Sequence, residues 1–284
     1  MRATGTVPVL AQDGLLELAF RLGPDGRTVL ASRRQRFPLR LTVPLALDPA
    51  VPEMAFVYVQ NPTGGVFAGD RLRTRIEAGA GTRLHLTTPS ATKIYRMESG
   101  RAEQLAELDA GDGAYVEALP EPLIPQAGSR LVSRTAVRLG EGAAFVGAEL
   151  VAPGRHGETF AYELLELETS VVDAFGRERC VDRLRLEPAL RRPSARGLLG
   201  PATHLGTLLA VADGRDGEAL AAASDSRLAG LAGVEAAAGV LPCGQGMLVR
   251  ALGASTAAVR RAVEAAWAEA RLALLGAPLP PRRK

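Results

Sequence analysis

Short apolar runs separated by turn residues dominate the first two thirds of the chain. Residues 15–20 and 27–31 are apolar-rich and flank the tetrapeptide Gly23-Pro24-Asp25-Gly26. Proline restricts φ and glycine accepts a positive φ, so this tetrapeptide is typical of a tight turn. The pattern predicts an opening β-hairpin, and the apolar residues 54–60 predict a further, buried strand.

A degenerate repeat occupies the middle of the chain. Residues 76–84, 108–116 and 137–145 each place a Gly-x-Gly pair between two alternating segments, with the glycines at 79/81, 111/113 and 140/142. Such pairs allow the backbone conformations that a tight reversal requires. One strand–turn–strand unit cannot bury its apolar side alone, so we expect the units to stack. The sequence therefore predicts a mainly β fold, a layered, β-helix-like or solenoid-like arrangement of stacked hairpins with a few α-helices, notably near the C-terminus.

The following segment predicts one more hairpin and then a loop. Residues 162–173 and 180–186 are strand-like and are joined by a turn at 175–177. Residues 188–201 are rich in arginine, glycine and proline, which is typical of irregular structure.

Alanine and leucine become frequent from about residue 202. Residues 218–232 predict a helix and residues 247–252 a strand. The clearest helix is predicted from about residue 256 to 275, because Ser255 is a suitable N-cap and Gly276 a suitable stop. Its apolar stripe includes Val259 and Val263, with Trp267 at the border, and packing against the core is the favoured interpretation.

Composition is that of an ordinary globular protein. The 284 residues are 47% hydrophobic and 23% charged, with a formal net charge of +3. We expect a single domain over residues 1–284, β-rich over 1–190 and mixed α/β over 202–276, followed by a basic tail over 277–284. The basic residues are scattered, so no nucleic-acid partner is predicted. Neither a membrane-spanning run nor a secretory leader is apparent, which favours a cytoplasmic location.

The sequence offers little catalytic or metal-binding chemistry. The three histidines (His85, His156 and His204) are dispersed, and the two cysteines (Cys180 and Cys243) form no Cys-x-x-Cys pair. A permanent metal site and a bound cofactor are therefore not expected. No nucleophile elbow or phosphate-binding loop is present. These observations favour a protein that is not an enzyme.

Two segments stand out from the background. Residues 60–72 place Asn61-Pro62 and the glycines Gly64, Gly65 and Gly69 ahead of Asp70, which either caps a turn or acts as a hard oxygen ligand. Residues 87–96 gather the hydroxyls of Thr87 and Thr88 with Lys93, Tyr95 and Arg96. Such a cluster is suited to lining a polar channel or to capping a local turn.

With these segments the chain resembles the UreD family of urease accessory proteins. The resemblance is carried by residues 26–34 and 38–40, by Asn61-Pro-Thr-Gly-Gly65 with Gly69-Asp70, and by residues 86–96. Residues 119–125, residues 248–253 and the C-terminal helix also fit, so it extends over nearly the whole chain. The segments around residues 240–244 and 280–284 look less typical of the family.

The resemblance implies a non-enzymatic maturation chaperone. Members of the family bind apo-urease and the accessory protein UreF, which recruits the GTPase UreG, and the assembly helps to place nickel in urease. A passage for transient nickel through the protein is part of this expectation, with no nickel held permanently. Because stacked imidazole and thiolate ligands would trap Ni²⁺, a chain poor in both suits transit past oxygen ligands. We therefore hypothesise that Asp70, Thr87, Thr88 and Glu149 face a polar route.

Partner binding is predicted for the C-terminal helix. Val259, Val263 and Trp267 are the candidate residues for a surface facing UreF, with purely intramolecular packing as the alternative. Two other functions stay open from the residues alone, a β-solenoid carbohydrate-active hydrolase and a generic protein-interaction module. The hydrolase is disfavoured by an aromatic content of only 4%, because sugar-binding enzymes present aromatic platforms.

Overall fold

The hairpin predicted at the start of the chain is present in the computed structural model, which describes residues 11–281. Strands β1 (Asp13–Leu22) and β2 (Thr28–Arg36) pair antiparallel around a turn in which Gly26 has a φ of 76°. Residues 1–10 and residues 282–284 of the predicted basic tail lie outside the described part of the chain.

Fifteen further strands and two helices follow in the described residues. The strands are β3 (Arg40–Leu41), β4 (Ala55–Gln60), β5 (Arg71–Ala78), β6 (Arg83–Thr87), β7 (Thr92–Ile94), β8 (Ala102–Ala110), β9 (Tyr115–Ala118), β10 (Leu123–Pro125), β11 (Arg130–Leu139), β12 (Ala144–Val151), β13 (Leu164–Asp173), β14 (Glu178–Leu186), β15 (His204–Ala212), β16 (Val234–Val240) and β17 (Gly246–Gly253). The helices are α1 (Gly217–Leu228) and α2 (Thr256–Leu275).

The central strands wind into a β-solenoid, which confirms the predicted fold class. Strands β1, β5, β8, β11 and β13 pair in parallel within a seven-stranded sheet, and β4, β6, β9 and β12 pair in parallel within a second sheet. The short strands β7 and β10 pair in parallel on the third side. The antiparallel strands β2 and β14 close the two edges of the first sheet.

The Gly-x-Gly pairs lie at equivalent corners of successive coils. The Gly111 amide donates to the Ala78 carbonyl and the Gly140 amide to the Ala110 carbonyl, each at 2.7 Å. The second glycine of each pair has a positive φ, for example 68° at Gly81. In one respect the prediction was wrong: the strands on either side of each pair do not form a hairpin. They lie in different sheets, and each pairs with its counterpart one coil away.

The second sheet extends beyond the solenoid through β15, β17 and β16, and the helices α1 and α2 pack on this sheet. Residues 247–252 predicted β17, whereas β15 and β16 were not predicted from the sequence. Strand β15 is buried on both sides and so lacks the alternation that marks a half-exposed strand. The α1 helix ends at Leu228, four residues before the predicted end, whereas α2 has the predicted bounds, with Ser255 as its N-cap. No helix within residues 11–281 has the length and apolar character needed to cross a lipid bilayer.

Two apolar layers form the core. One fills the solenoid between the two sheets and includes Leu16, Leu84 and Leu131. The other lies between the outer face of the second sheet and the helices, and includes Val249 and Ala262. The interior of the solenoid therefore lies between the two sheets, and the polar groups described below project into it from both of them.

A buried cluster of charges joins α2 to the second sheet. Arg271 is fully buried and donates from Nη1 to both carboxylate oxygens of Glu117, at 2.9 and 3.0 Å. Its Nη2 donates to Asp48, and its Nε donates to the Pro278 carbonyl at 3.0 Å. Glu117 also lies 2.7 Å from Nδ1 of His85. The helix, the strand β9 and the segment before β4 are thus held at one point.

Candidate functional site

Polar side chains interrupt the apolar interior of the solenoid. Inward positions of the first sheet are mostly apolar, as at Leu72, Ile76 and Leu108, which are buried. One inward row is mostly polar instead. It crosses five strands, and each of its residues pairs in register with the next: Thr74, Ala106, Thr135, Thr169 and Asp182. The neighbouring inward row contains Gln104 and Ser133. The interior therefore contains a band of hydroxyl, amide and carboxylate groups.

This band lines two adjoining cavities. The deeper cavity has a volume of about 240 Å³, and its walls include Thr87, Thr88, Glu149 and Asp182. The outer cavity has a volume of about 230 Å³ and is lined by Asn61, Gly64 and Gly65, among others. The two share six polar or small lining residues: Thr74, Thr88, Thr92, Gln104, Ala106 and Ser133. Together they form a route from the surface into the protein, in which polar groups lie among apolar side chains; this is called the polar route below.

The two distinctive sequence segments meet at the outer end of this route. The Asn61 side chain donates to the Gly65 carbonyl at 2.9 Å and accepts from the Thr63 amide at 3.2 Å, which makes a rigid turn. The Val66 amide donates to the Lys93 carbonyl, so this turn is tied to β7. A Cβ at Gly65 would lie 2.5 Å from that carbonyl oxygen, which is why no larger residue fits there.

Other members of the two segments support this contact or lie at the surface. The Phe67 and Tyr95 rings stack with their centroids 4.7 Å apart. Lys93, Arg96 and Pro62 are exposed, and Gly69 adopts a φ of 79° in the turn before β5. None of these residues lines either cavity.

Asp70, a candidate for the polar route, is part of a turn instead. It is buried, and its two carboxylate oxygens accept the amides of Gln12 and Phe67, each at 2.9 Å. It lines neither cavity. The position therefore corresponds to the turn-capping alternative, and Asp70 takes no part in the route described here.

Thr87, Thr88 and Glu149 line the deeper cavity. The Thr87 hydroxyl donates to the Leu119 carbonyl at 2.8 Å, and the Thr88 hydroxyl accepts the Glu121 amide at 2.9 Å. Both hydroxyls keep lone pairs that can face a solute. Burial and the nearby Asp182 carboxylate raise the pKa of Glu149 to about 7, although the Arg250 charge opposes the shift.

At the deep end of the route, Glu149 lies near three residues that the sequence pattern did not single out, Asp182, Thr207 and Arg250. Glu149 pairs in register with Thr207 on β15, and Thr207 pairs with Arg250 on β17. Arg250 donates to the Thr207 hydroxyl and to the Asp182 carboxylate of the opposite sheet. Polar residues at inward positions of alternating strands were the available signal for Asp182.

The candidate partner-binding residues of α2 lie mostly inside the protein. Val259 and Val263 are buried in the layer beneath the helix, where Gly206 leaves room for Val263, because a Cβ there would come within 2.9 Å of Cγ2. Trp267 is half-buried and donates to Glu117 at 3.0 Å. This packing corresponds to the intramolecular alternative, and Val259 and Val263 offer no surface to a partner.

The ligand chemistry along the route is that of oxygen donors. Within residues 11–281, no group of three or more histidine, cysteine, aspartate or glutamate side chains is arranged to hold a metal ion. The polar groups of the deeper cavity are the carboxyls of Glu121, Glu149 and Asp182, several hydroxyls and one amide, and they lie among apolar side chains. Carboxylates, hydroxyls and water suit passing divalent cations better than they suit permanent binding of a transition metal.

Fold and site together define a β-solenoid protein with an internal polar route. Comparison with known proteins then gives the family: the UreD urease accessory protein family model matches residues 12–284. A relative in Streptomyces griseus, named urease accessory protein UreD 2, is 41% identical, and the match covers 96% of this chain and 94% of that protein. Urease accessory protein UreD of Haloarcula marismortui is 37% identical over 99% of this chain and 95% of its own length. The chain belongs to the UreD family.

Proposed function

We propose that this protein is a urease maturation chaperone through which nickel reaches the urease active site. In this proposal it catalyses no reaction, acts in the cytoplasm, binds apo-urease and UreF, and is joined to the GTPase UreG through UreF. Family membership supports a role in urease maturation. The polar route through the solenoid is the observation that carries the proposal of nickel transit.

Weak binding is what a transit route requires. The lining offers oxygen ligands from different strands rather than a closed set of imidazole and thiolate ligands. A hydrated Ni²⁺ ion can exchange waters for one or two of these oxygens at a time, so no single position retains it. Thr87, Thr88 and Glu149 are then contacts along the way, and the nickel ion is cargo rather than a resident cofactor.

The test is to obstruct the route without changing the surface. Ala106 lines both cavities, so Ala106→Phe places a ring where they adjoin. Ala136→Phe on the next strand is the matched control, because Ala136 is exposed on the outer side of the same sheet. Each variant is co-expressed with urease and the other accessory proteins, and nickel per urease active site is measured.

We expect Ala106→Phe to lower the nickel content several-fold while its co-purification with urease and UreF stays normal. Ala136→Phe should behave as the wild type. Equal nickel content with Ala106→Phe and wild type would refute transit through the interior. Loss of co-purification in Ala106→Phe would be checked with the smaller Ala106→Leu.

A further inference from the structure

A positive charge lies beside the deep end of the route: Arg250 lines neither cavity, but it bonds to Thr207 and Asp182, which line the deeper one. Glu149, Thr207 and Arg250 occupy one row across β12, β15 and β17. Residues directly opposite each other on neighbouring antiparallel strands project to the same side of the sheet, so the three side chains face the interior together. Asp182 approaches from the other sheet and forms an ion pair with Arg250.

The arrangement resembles a cation site in which a guanidinium takes the place of the cation. Arg250 donates to one carboxylate oxygen and one hydroxyl, which are ligands that a hard divalent cation also accepts. Asp182 and Glu149 interact through their charges, and Arg250 opposes that repulsion. Arg250 therefore forms an ion pair with Asp182 and acts on the neighbouring Glu149 through its charge.

Arg250 also has room to move. About 34% of its side chain is exposed, compared with 16% for Asp182. Long arginine side chains can keep their aliphatic stem packed while the guanidinium turns toward water. A guanidinium at the boundary of the interior can leave the acidic pair without unfolding a strand.

We propose that Arg250 is a tethered counter-ion that pairs with Asp182 beside Glu149 when no cargo is present and is displaced by an arriving divalent cation. This inference rests on the proposed function and specifies how the route releases what it binds. The cation gains two carboxylates and the Thr207 hydroxyl, but it must displace an existing ion pair and then lie near a positive charge. Both effects weaken binding, and the returning guanidinium favours release.

The first experiment measures Ni²⁺ binding directly. The full chain, purified with its accessory partners, is dialysed against Ni²⁺ alone, and the variants Arg250→Gln, Arg250→Lys and Asp182→Asn are compared with the wild type. Arg183→Gln is the matched control, because Arg183 lies on the same strand as Asp182 but is exposed and pairs with Glu168. Complexes prepared without this chain give the background to be subtracted.

We expect Arg250→Gln to bind Ni²⁺ about fivefold to tenfold more tightly, since a part-exposed ion pair and a nearby positive charge no longer compete. Arg250→Lys should stay close to the wild type, which also shows that the site tolerates substitution. Asp182→Asn should weaken binding, and Arg183→Gln should change nothing. Unchanged or weaker binding in Arg250→Gln, or no Ni²⁺ binding in either the wild type or Arg250→Gln, would overturn the inference.

The second measurement separates this inference from the proposed function. Tighter binding in Arg250→Gln, together with normal urease nickel in Ala106→Phe, would support the counter-ion and reject interior delivery. Unchanged binding in Arg250→Gln, together with reduced urease nickel in Ala106→Phe, would reject the counter-ion and support interior delivery.

Discussion

The buried arginine of α2 allows the sharpest test of the fold. Replacing Arg271 with methionine keeps most of the apolar stem but leaves the carboxylates of Asp48 and Glu117 buried without their cation. All three side chains are essentially inaccessible to water. Removing one partner of a buried ion pair costs about 3–5 kcal/mol, because the remaining charge cannot be solvated. Glu117 keeps its contacts with His85 and Trp267, so the charge left without a partner is mainly that of Asp48, and we expect a loss within that range.

The assay is urea unfolding followed by tryptophan fluorescence, because the Trp267 ring lies 5.7 Å from the Arg271 guanidinium and reports on this region. Arg261→Met is the control, because Arg261 is on the same helix but exposed, and it should cost about 0.5 kcal/mol or less. Adding Asp48→Asn and Glu117→Gln to Arg271→Met should recover part of the loss. A loss below about 1 kcal/mol in Arg271→Met, or no recovery in the triple variant, would refute the reasoning.

Three further predictions concern separate parts of the molecule. Burial by itself would raise the pKa of Glu117, but the adjacent imidazole and guanidinium lower it. The ionised Glu117 therefore stabilises the fold above its unfolded pKa, and this contribution is lost as pH falls. The urea midpoint of Glu117→Gln should decline less steeply below about pH 4.5 than that of the wild type, and parallel curves would contradict this. Burial raises the pKa of Cys180 to about 12, so iodoacetamide at pH 8 should alkylate Cys243 before Cys180. Peptide mass mapping would show the order, and equal alkylation rates of the two cysteines would contradict the burial of Cys180. Gly65→Ala should lower the free energy of unfolding in urea by about 1–3 kcal/mol, because the added Cβ would clash with β7. Gly230→Ala is the control and should be neutral or stabilising, because a Cβ there meets no atom within 4 Å. Similar effects of the two substitutions would argue against the tight turn.

Local signals were sufficient to predict most individual elements. The Gly-Pro-Asp-Gly turn identified β1 and β2, and the caps Ser255 and Gly276 identified α2. The Gly-x-Gly repeat identified the solenoid but not the pairing within it. Corner glycines look alike whether the following strand turns back on its predecessor or crosses to another sheet, because that choice depends on contacts with the next coil.

The candidate site was only partly predictable, for a related reason. Thr87, Thr88 and Glu149 line the deeper cavity, whereas the Asp70 carboxylate accepts hydrogen bonds from two backbone amides in a turn. A carboxylate after a glycine-rich turn is compatible with either role, and only the fold decides between them. The deep acidic pair joins residues from opposite sheets, so neither member has a partner nearby in sequence.

The C-terminal helix illustrates a different limit. A stripe of apolar residues predicts that one side of a helix is covered, but not by what. Here the strands β12, β15 and β17 cover it, and β15 could not be recognised from alternation. The side of α2 that carries Val259 and Val263 is therefore not available to a partner.

The most direct test of interior nickel transit is a transfer time course in the presence of a chelator too large to enter the route. Apo-urease bound to this chain and its partners is supplied with nickel through the accessory proteins, the chelator is added, and nickel in urease is measured over time. An interior path predicts that transfer continues with the wild-type chain at nearly its original rate and stops with Ala106→Phe. Transfer that the chelator abolishes with the wild type, or that proceeds equally with Ala106→Phe, would contradict the account.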